Sequence, residues 1–335
     1  MFQSIKSGYR KDIVLFSNKF NQRILNLAYI LFIVGFILVV KGADYLISGA
    51  SGFSKQFGIN PIFVGLTVVA FGTSLPEFVV SLIDALNGSE GIGIGNIIGS
   101  NIANIALILG FVSILKPIKV QERVFKRDLP ITFFVSLSFY LMMLDGVVSA
   151  VDGSILVTMF IGYLFYVYKK ARSGEEEFEE IDDVDKDSVK NSFKTIGGLI
   201  SLYFGAKLLI ENASTIAKSF GVSELVIGLT IVAIGTSLPE LVTTMQALRK
   251  GEDDIGVGGI VGSNIFNVLF VIGIISIIKP FYIDEINITI FGPFMLLITL
   301  LLYPLSIKNR KIGRVSGVAF FSLYILYTVY GFVIS

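Results

Sequence analysis

The chain contains a long internal repeat, and this feature constrains its fold more than any other. Residues 65–77 read GLTVVAFGTSLPE and residues 228–240 read GLTIVAIGTSLPE, at an offset of 163 positions. The same offset, without a gap, aligns the Gly-Ser-Asn triplet at 99–101 with that at 262–264. Chance does not produce so many identities in one register, so the chain consists of two copies of one unit.

The composition indicates that a lipid bilayer is the main solvent of this chain. Hydrophobic residues make up 53% of the 335 positions, charged residues only 16%, and the mean hydropathy is +0.78. A helix needs about 20 apolar residues to cross the hydrocarbon core of a membrane. Ten such stretches are present, near residues 25–48, 60–84, 92–115, 129–145, 152–168, 195–213, 223–247, 255–278, 286–305 and 315–334.

Five of these spans fall in each copy, and because five is odd the second copy enters the membrane from the opposite side. The predicted fold is an all-α polytopic membrane protein with ten transmembrane helices, arranged as two inverted five-helix repeats. The predicted domains are an N-terminal arm at 1–24, the first repeat at 25–170, an acidic cytoplasmic linker at 171–193 and the second repeat at 194–335.

The acidic linker contains three aspartates with the spacing of a calcium-binding EF-hand loop, Asp183, Asp185 and Asp187. Ser188 stands where that loop needs glycine, and Lys194 stands where it needs a bidentate glutamate. We therefore predict a solvated linker without a calcium site.

The distribution of positive charge predicts the orientation of the chain, because cytoplasmic loops carry an excess of Lys and Arg. Eighteen such residues lie in loops that follow odd-numbered spans, whereas Lys218 and Lys279 alone follow even-numbered spans. Five more in the N-terminal arm oppose this difference. The pattern predicts a cell-membrane protein with its odd-numbered loops in the cytoplasm and both termini outside.

The residue types present also exclude several kinds of chemistry. The chain has no cysteine and no histidine, which excludes disulfides, thiolate metal sites, haem ligation and imidazole-dependent catalytic triads. A formal net charge of +1 offers no basic surface for nucleic acid. Nothing supplies a nucleophile with an adjacent base, so we do not expect an enzyme.

Each copy carries the motif G-T-S-L-P-E in the middle of an apolar span. Pro76 has no N–H and its ring clashes with the carbonyl four residues earlier, so a helix through this motif is broken and frees the carbonyl oxygens near Gly72 and Thr73. Thr73 and Glu77 are four residues apart and share a helix face. The motif at Pro239 has the same properties, so each span is predicted to be discontinuous and to present carbonyl, hydroxyl and carboxylate oxygens together.

Glu77 and Glu240 are predicted to lie near the middle of the bilayer, where a carboxylate is costly unless it is paired or protonated. No Lys or Arg in the repeated motifs can pair with them. Two alternatives are a protonated glutamate in an interhelical hydrogen bond and a structural kink without a ligand. Because the Pro-Glu pair is duplicated, we favour a cation-binding site.

A second repeated motif, G-x-x-x-G-S-N-I-x-N, covers residues 95–104 and 258–267. Its glycines are typical of close helix packing, and its polar residues taken singly are typical of interhelical hydrogen bonds. Their presence in both copies, beside the Glu motifs, favours a role as further ligands. Two pairs are spaced four residues apart and therefore share a helix face: Ser100 with Asn104, and Ser263 with Asn267.

The duplicated motifs GTSLPE and GSNIxN closely resemble the sodium/calcium exchangers and the wider cation/calcium antiporters, particularly their compact archaeal and bacterial members. The resemblance covers about residues 25–335. It implies a secondary antiporter without a cofactor, in which the two glutamates bind Ca²⁺ and Na⁺ competitively. It also implies alternating access, with the first span of each half sliding against the other eight helices.

The same resemblance implies a set of ligands. Glu77 and Glu240 would be the central ligands, and the carbonyl oxygens of two threonines would complete the Ca²⁺ site. The remaining implied ligands are hydroxyl and amide oxygens for Na⁺, with two more peripheral carbonyls. The full set is Glu77, Glu240, Thr73, Thr236, Ser74, Ser237, Ser100, Ser263, Asn104, Asn267, Ala70 and Ala233.

One departure from the family concerns charge. Some relatives have Asp at the position of Asn267, whereas this sequence has Asn in both copies, at 104 and 267. The site therefore has two carboxylates, and the missing Asp argues against potassium dependence. Two negative charges balance one Ca²⁺, whereas three Na⁺ would leave the site at about +1, so exchange at that ratio would be electrogenic.

Two alternative functions remain open. A Ca²⁺/H⁺ or other divalent cation/proton antiporter would use the same glutamates as proton carriers, because a desolvated carboxyl can titrate. A channel would place the same groups along a continuous pore, which fits a two-repeat site with broken helices less well.

Asp44 and Lys207 are charged residues at equivalent positions in the first spans of the two copies. They either pair across the interface between these spans or pack near helix ends, and we favour the second interpretation.

Overall fold

The computed structural model describes residues 2–58, 60–87, 92–122, 124–172, 188–221, 233–307 and 310–334. Nearly all of them are helical. The helices are α1 (Phe2–Phe57), α2 (Pro61–Thr73), α3 (Leu75–Asn87), α4 (Gly93–Leu115), α5 (Leu129–Met143), α6 (Ala150–Arg172), α7 (Ser188–Ser219), α8 (Ala233–Thr236), α9 (Leu238–Arg249), α10 (Asp253–Ile278), α11 (Asn287–Ile307) and α12 (Arg314–Ile334). The strands are β1 (Ile118–Lys119), β2 (Val147–Val148), β3 (Phe281–Tyr282) and β4 (Lys311–Ile312).

Helices α4 and α10 form the centre of the molecule. In their most apolar stretches, 78% and 83% of the residues are buried within the protein, compared with between 17% and 28% in α1, α6, α7 and α11. The outer helices therefore present most of their apolar side chains to lipid, since these side chains have no other apolar surroundings.

Glycines of α10 allow its close packing against α2. A Cβ at Gly262 would lie 2.7 Å from the Leu66 backbone, and one at Gly258 would lie 3.0 Å from a backbone oxygen of α2. Among the described residues, a Cβ at the counterpart Gly95 on α4 would meet nothing within 4 Å, and one at Gly99 would meet only a hydroxyl at 3.5 Å. The predicted packing role is confirmed for the second copy of the motif and remains a prediction for the first, because the segment equivalent to the contacted part of α2 lies at 225–229, outside the described residues.

Six helices in the described ranges are long and apolar enough to cross a membrane, namely α1, α4, α6, α7, α10 and α11. The bent pair α2 and α3 makes a seventh span if it is counted as one. The predicted spans near 129–145 and 315–334 coincide with α5 and α12, and that near 223–247 lies partly outside the described residues. The chain is a multi-pass helical membrane protein, and the total of ten spans remains a prediction.

Irregular features of the helices recur at the 163-residue offset. The π-helical segments Val124–Asp128 and Asn287–Phe291 occupy equivalent positions, as do strands β1 and β3. Further π-helical segments interrupt α4 at Ala103–Leu109 and α10 at Asn267–Ile272. Such segments often mark functional sites, and these two include the asparagines predicted as ligands.

Two short antiparallel ribbons connect the halves of the sequence. Strand β1 pairs with β4, with Ile118 opposite Ile312, and β2 pairs with β3, with Val147 opposite Tyr282. Each ribbon therefore takes one strand from either half.

The long helices α1 and α7 pack against each other through glycines. A Cβ at Gly42 of α1 would lie 2.8 Å from the Leu202 nitrogen, and one at Gly198 of α7 would lie 2.6 Å from the Leu46 nitrogen. Residues with a Cβ do not fit at such distances, so glycine is what permits the two backbones to come this close. The two helices consequently form a tightly packed pair.

Polar contacts attach the loop between α9 and α10 to the C-terminal part of α1. Lys250 Nζ lies 2.8 Å from Asp44 Oδ1 and donates to Ser48 Oγ at 2.6 Å. Ser51 Oγ donates to Glu252 Oε1 at 2.5 Å. These contacts hold α1 to the second half of the chain.

The hypothesis that Asp44 pairs with Lys207 is wrong. Asp44 pairs with Lys250, and Lys207 Nζ lies 3.9 Å from Glu211 Oε1 on its own helix. Equivalent positions in the two copies thus have unrelated partners.

The predicted domain boundaries fall partly within helices. Helix α1 begins at Phe2, so the predicted N-terminal arm is helical and continuous with the first span. Most of the predicted acidic linker, including all three EF-hand-spaced aspartates, lies at 173–187, outside the described residues, and α7 begins at Ser188. The division into four domains remains a prediction.

Candidate functional site

Each Glu motif interrupts a helix three residues before the glutamate. Helix α2 ends at Thr73 and α3 begins at Leu75, with Ser74 between them at φ −82° and ψ 0° and a bend of 42°. Ser237 has φ −89° and ψ 4° between α8 and α9. Pro76 lies in the first turn of α3, where a residue without an N–H fits because that turn has no helical acceptor for it.

The two glutamates are fully enclosed by protein. Glu77 is 0% exposed and Glu240 is 2% exposed. Ser100 Oγ on α4 donates to Glu77 Oε1 at 3.4 Å, and the two carboxyl groups are close enough to interact electrostatically. In the described part of the chain, no Lys or Arg forms an ion pair with either glutamate. The site therefore concentrates acidic groups without a balancing cation from the protein.

Thr73 connects the first broken helix to the second half of the chain. Its Oγ1 lies 3.1 Å from the Oγ of Ser263 on α10 and 3.4 Å from the carbonyl oxygen of Ala70. Thr236, the equivalent residue, is also buried, and Ala233 begins the described part of its helix. The side chains of two predicted ligands from different halves, Thr73 and Ser263, are thus in contact.

Four buried asparagines from α4 and α10 form one hydrogen-bonded cluster. Asn104 Nδ2 donates to Asn264 Oδ1 at 2.9 Å, and Asn267 Nδ2 donates to Asn101 Oδ1 at 3.1 Å. Asn104 and Asn267 are predicted ligands, whereas Asn101 and Asn264 are not in the predicted set. Their signal in the sequence is the last residue of the duplicated Gly-Ser-Asn triplet.

Buried oxygen atoms without a hydrogen-bond partner are concentrated at this site. Among the described residues, ten buried polar side-chain atoms lack a partner, and seven of them belong to predicted ligands. An unpaired buried polar group costs about 1–3 kcal/mol, and a cation would remove this cost. Carboxylate, hydroxyl and amide oxygens are the ligands that Na⁺ and Ca²⁺ prefer. The seven atoms are Ser74 Oγ, Ser237 Oγ, Glu77 Oε2, both carboxylate oxygens of Glu240, Asn104 Oδ1 and Asn267 Oδ1.

Comparison with known protein families and sequences gives a consistent result. The family model described as "Sodium/calcium exchanger protein" matches residues 27–169 and 193–333. Inner membrane protein YrbG of Escherichia coli is 40% identical over 268 residues, which cover 78% of this chain and 82% of YrbG. Sodium/calcium exchanger MaX1 of Methanosarcina acetivorans is 30% identical over 341 residues, covering 90% and 97% of the two chains.

The fold is similar to that of a solved exchanger. The structure of the sodium-calcium exchanger NCX_Mj, soaked with zero Na⁺ and Ca²⁺, matches with a TM-score of 0.78 and 32% identity, covering 90% of this chain and 98% of the other. The protein is accordingly a membrane antiporter rather than an enzyme, and it needs no cofactor. The chain belongs to the sodium/calcium exchanger protein family.

Proposed function

We propose that this protein exchanges Na⁺ for Ca²⁺ across the cell membrane at a site centred on Glu77 and Glu240. The observation that carries the proposal is a set of seven buried oxygens on predicted ligands that have no hydrogen-bond partner among the described residues. The names of MaX1 and NCX_Mj, both sodium/calcium exchangers, support the choice of ions.

The two ions use overlapping ligands. Ca²⁺ takes the carboxylates of Glu77 and Glu240 together with the carbonyl oxygens of Thr73 and Thr236. Because Ca²⁺ accepts six to eight oxygens, the mixed carboxylate and carbonyl set suits it. Na⁺ uses the neutral hydroxyl and amide oxygens beside the same carboxylates, with the carbonyls of two alanines at the periphery. These are the oxygens of Ser74, Ser237, Ser100, Ser263, Asn104 and Asn267, and of Ala70 and Ala233.

Charge at the site makes the exchange electrogenic. The described residues offer two carboxylates and no basic partner at the site. One Ca²⁺ neutralises both carboxylates, whereas three Na⁺ leave about one positive charge, and moving one charge through 100 mV involves about 2.3 kcal/mol. Exchange of three Na⁺ for one Ca²⁺ therefore responds to membrane potential.

The transport cycle is alternating access in a ten-span chain built of two inverted five-helix repeats. Helices α1 and α7 move as one unit, because their backbones pack glycine against backbone. The recurrence of the helix breaks, π-helical segments and strands at one offset supports the duplication. The distribution of Lys and Arg supports cytoplasmic odd-numbered loops and external termini.

The direct test is Ca²⁺ uptake into vesicles that contain the purified protein. Vesicles loaded with Na⁺ are diluted into Na⁺-free medium, and ⁴⁵Ca²⁺ uptake is followed with and without a valinomycin-imposed K⁺ diffusion potential. We expect uptake that requires the outward Na⁺ gradient and changes with the imposed potential. Glu77→Gln and Glu240→Gln should each abolish it.

Glu285→Gln provides the matched control, because it removes the same charge from an exposed residue. This variant should transport like the unmodified protein. Uptake driven by a pH gradient alone would refute sodium coupling and establish proton coupling instead. Uptake that persists in both site variants would refute the location of the site.

A further inference from the structure

Asn101 and Asn264 lie directly behind two proposed ligands. Asn267 Nδ2 donates to Asn101 Oδ1 at 3.1 Å, and Asn104 Nδ2 donates to Asn264 Oδ1 at 2.9 Å. All four side chains are at most 1% exposed, so water does not compete for these hydrogen bonds. Each bond joins α4 of the first half to α10 of the second.

The orientation of the Asn101 and Asn264 amides is set by main-chain carbonyls. Asn101 Nδ2 donates to the Asn264 carbonyl oxygen at 3.3 Å, and Asn264 Nδ2 donates to the Asn101 carbonyl oxygen at 3.2 Å. A carbonyl oxygen accepts hydrogen bonds and cannot donate them, so it must meet the amide nitrogen. The Oδ1 atoms of these two residues are consequently on the other side of each amide, where they act as acceptors.

This arrangement in turn fixes the ligand amides. An acceptor that faces Asn267 must meet its Nδ2, which leaves Asn267 Oδ1 on the opposite side, and the same holds for Asn104. Both Oδ1 atoms are buried and lack a partner among the described residues. If either amide turned over, it would present N–H groups, which repel a cation, in place of an oxygen.

We propose that Asn101 and Asn264 are positioning residues that hold the side-chain oxygens of Asn267 and Asn104 toward the transported cation. The inference rests on the proposed function and deepens it. Each positioning residue acts on a ligand from the other half of the chain. The geometry of the ligands in one half therefore depends on the other half.

A double-mutant cycle on Na⁺ binding tests this assignment, because Asn104 and Asn267 are proposed Na⁺ ligands. The Na⁺ concentration that displaces half of the bound ⁴⁵Ca²⁺ in equilibrium dialysis in detergent gives the relative Na⁺ affinity of the full chain and of its variants. Asn101→Leu keeps the approximate volume but removes the hydrogen bonds, and Asn267→Ala removes the ligand. Loss of a residue that orients a metal ligand typically weakens metal binding by about 10–100-fold, and we expect each single variant to fall in that range.

The expected result is that the two changes are not independent. The double variant with Asn101→Leu and Asn267→Ala should bind Na⁺ no more weakly than whichever single variant binds it more weakly, because Asn101 acts through Asn267. The matched control combines Asn101→Leu with Asn104→Ala, whose side chain bonds to Asn264 instead, and there the two losses should multiply. A second cycle with Asn264→Leu and Asn104→Ala repeats the test if Asn101→Leu does not fold.

A purely structural role predicts a different pattern. In that case the losses would multiply in the matched pairs as they do in the control, and this outcome would overturn the inference while leaving the proposed function intact. If Na⁺ did not displace Ca²⁺ from the unmodified protein, the proposed function would fail and the inference with it.

Discussion

Replacement of Gly198 by alanine is the most direct test of how α1 and α7 are held together. A Cβ at this position would lie 2.6 Å from the Leu46 nitrogen and 2.8 Å from the Gly42 oxygen, whereas ordinary contact begins at 3.4 Å. Because backbone atoms cannot rotate away, the helices must separate locally by about 0.8 Å in a closely packed interior. Overpacking of this kind costs about 1–3 kcal/mol, and we expect the free energy of unfolding to fall by that amount.

The neighbouring Gly197 supplies a matched control on the same helix. A Cβ there would come within 4 Å of none of the residues that the structure describes. Gly197→Ala therefore introduces no clash, and the higher helix propensity of alanine leaves the free energy of unfolding unchanged or raises it by up to about 1 kcal/mol. Two identical substitutions at adjacent positions should thus differ in their effect on stability.

The assay is unfolding by increasing SDS in mixed micelles, followed by the far-ultraviolet circular dichroism of the helices. The midpoint should shift to lower SDS for Gly198→Ala and stay or rise for Gly197→Ala. Equal midpoints would contradict the close backbone contact of α1 with α7, and with it the argument that the two helices move as one unit.

Three further predictions follow from individual contacts. Ser74→Ala should leave the free energy of unfolding unchanged or higher, because the Ser74 Oγ has no hydrogen-bond partner in the described part of the chain. It should weaken Na⁺ binding about 10-fold or more, measured by the Na⁺ concentration that drives half-maximal ⁴⁵Ca²⁺ uptake. A double-mutant cycle of Lys250→Ala with Asp44→Ala should give a coupling energy of about 0.2–1 kcal/mol between the two side chains, because the ion pair is partly exposed. This energy should be smaller at high salt. Hydrogen bonding from Lys126 and the charge of Arg310 hold the pKa of Glu122 below its usual value. The contribution of ionised Glu122 to folding stability is therefore present at neutral pH and lost as pH falls through the lowered pKa. NMR titration should show that the pKa of Glu122 rises in Arg310→Gln.

A ligand set can be predicted from this sequence because the motifs that carry it are repeated. Residues four apart share a helix face, which is how Ser100 and Asn104 were grouped, and the structure shows Ser100 bonded to Glu77. Spacing along one helix does not reveal which neighbouring helix that face meets. The contact of Thr73 with Ser263, 190 positions away, therefore had no signal in the sequence.

The positioning asparagines illustrate the same limit. Asn101 belongs to a repeated triplet, but its spacing from Glu77 does not place the two residues on one helix face. Its proposed role depends on the main-chain carbonyl of Asn264 in the other half. The partner of Asp44 was equally beyond reach, because Lys250 is brought to it only by the packing of α1 against the α9–α10 loop.

Helix ends show a further limit, since hydropathy locates an apolar stretch better than its boundaries. The stretch near 129–145 is helical only from Leu129 to Met143, and Gly146 with φ 85° then begins the path to β2. The local turn, which requires a residue without a Cβ, decides where this helix stops.

The two ribbons bear on the evolutionary history of the chain. A lone copy of the repeated unit would carry β1 and β2 with no strand to pair with, since each finds its partner in the other half. Two separate copies that met as the two halves do here would supply the missing strands to each other. The ribbons are therefore the contacts through which a pair of single copies would recognise each other.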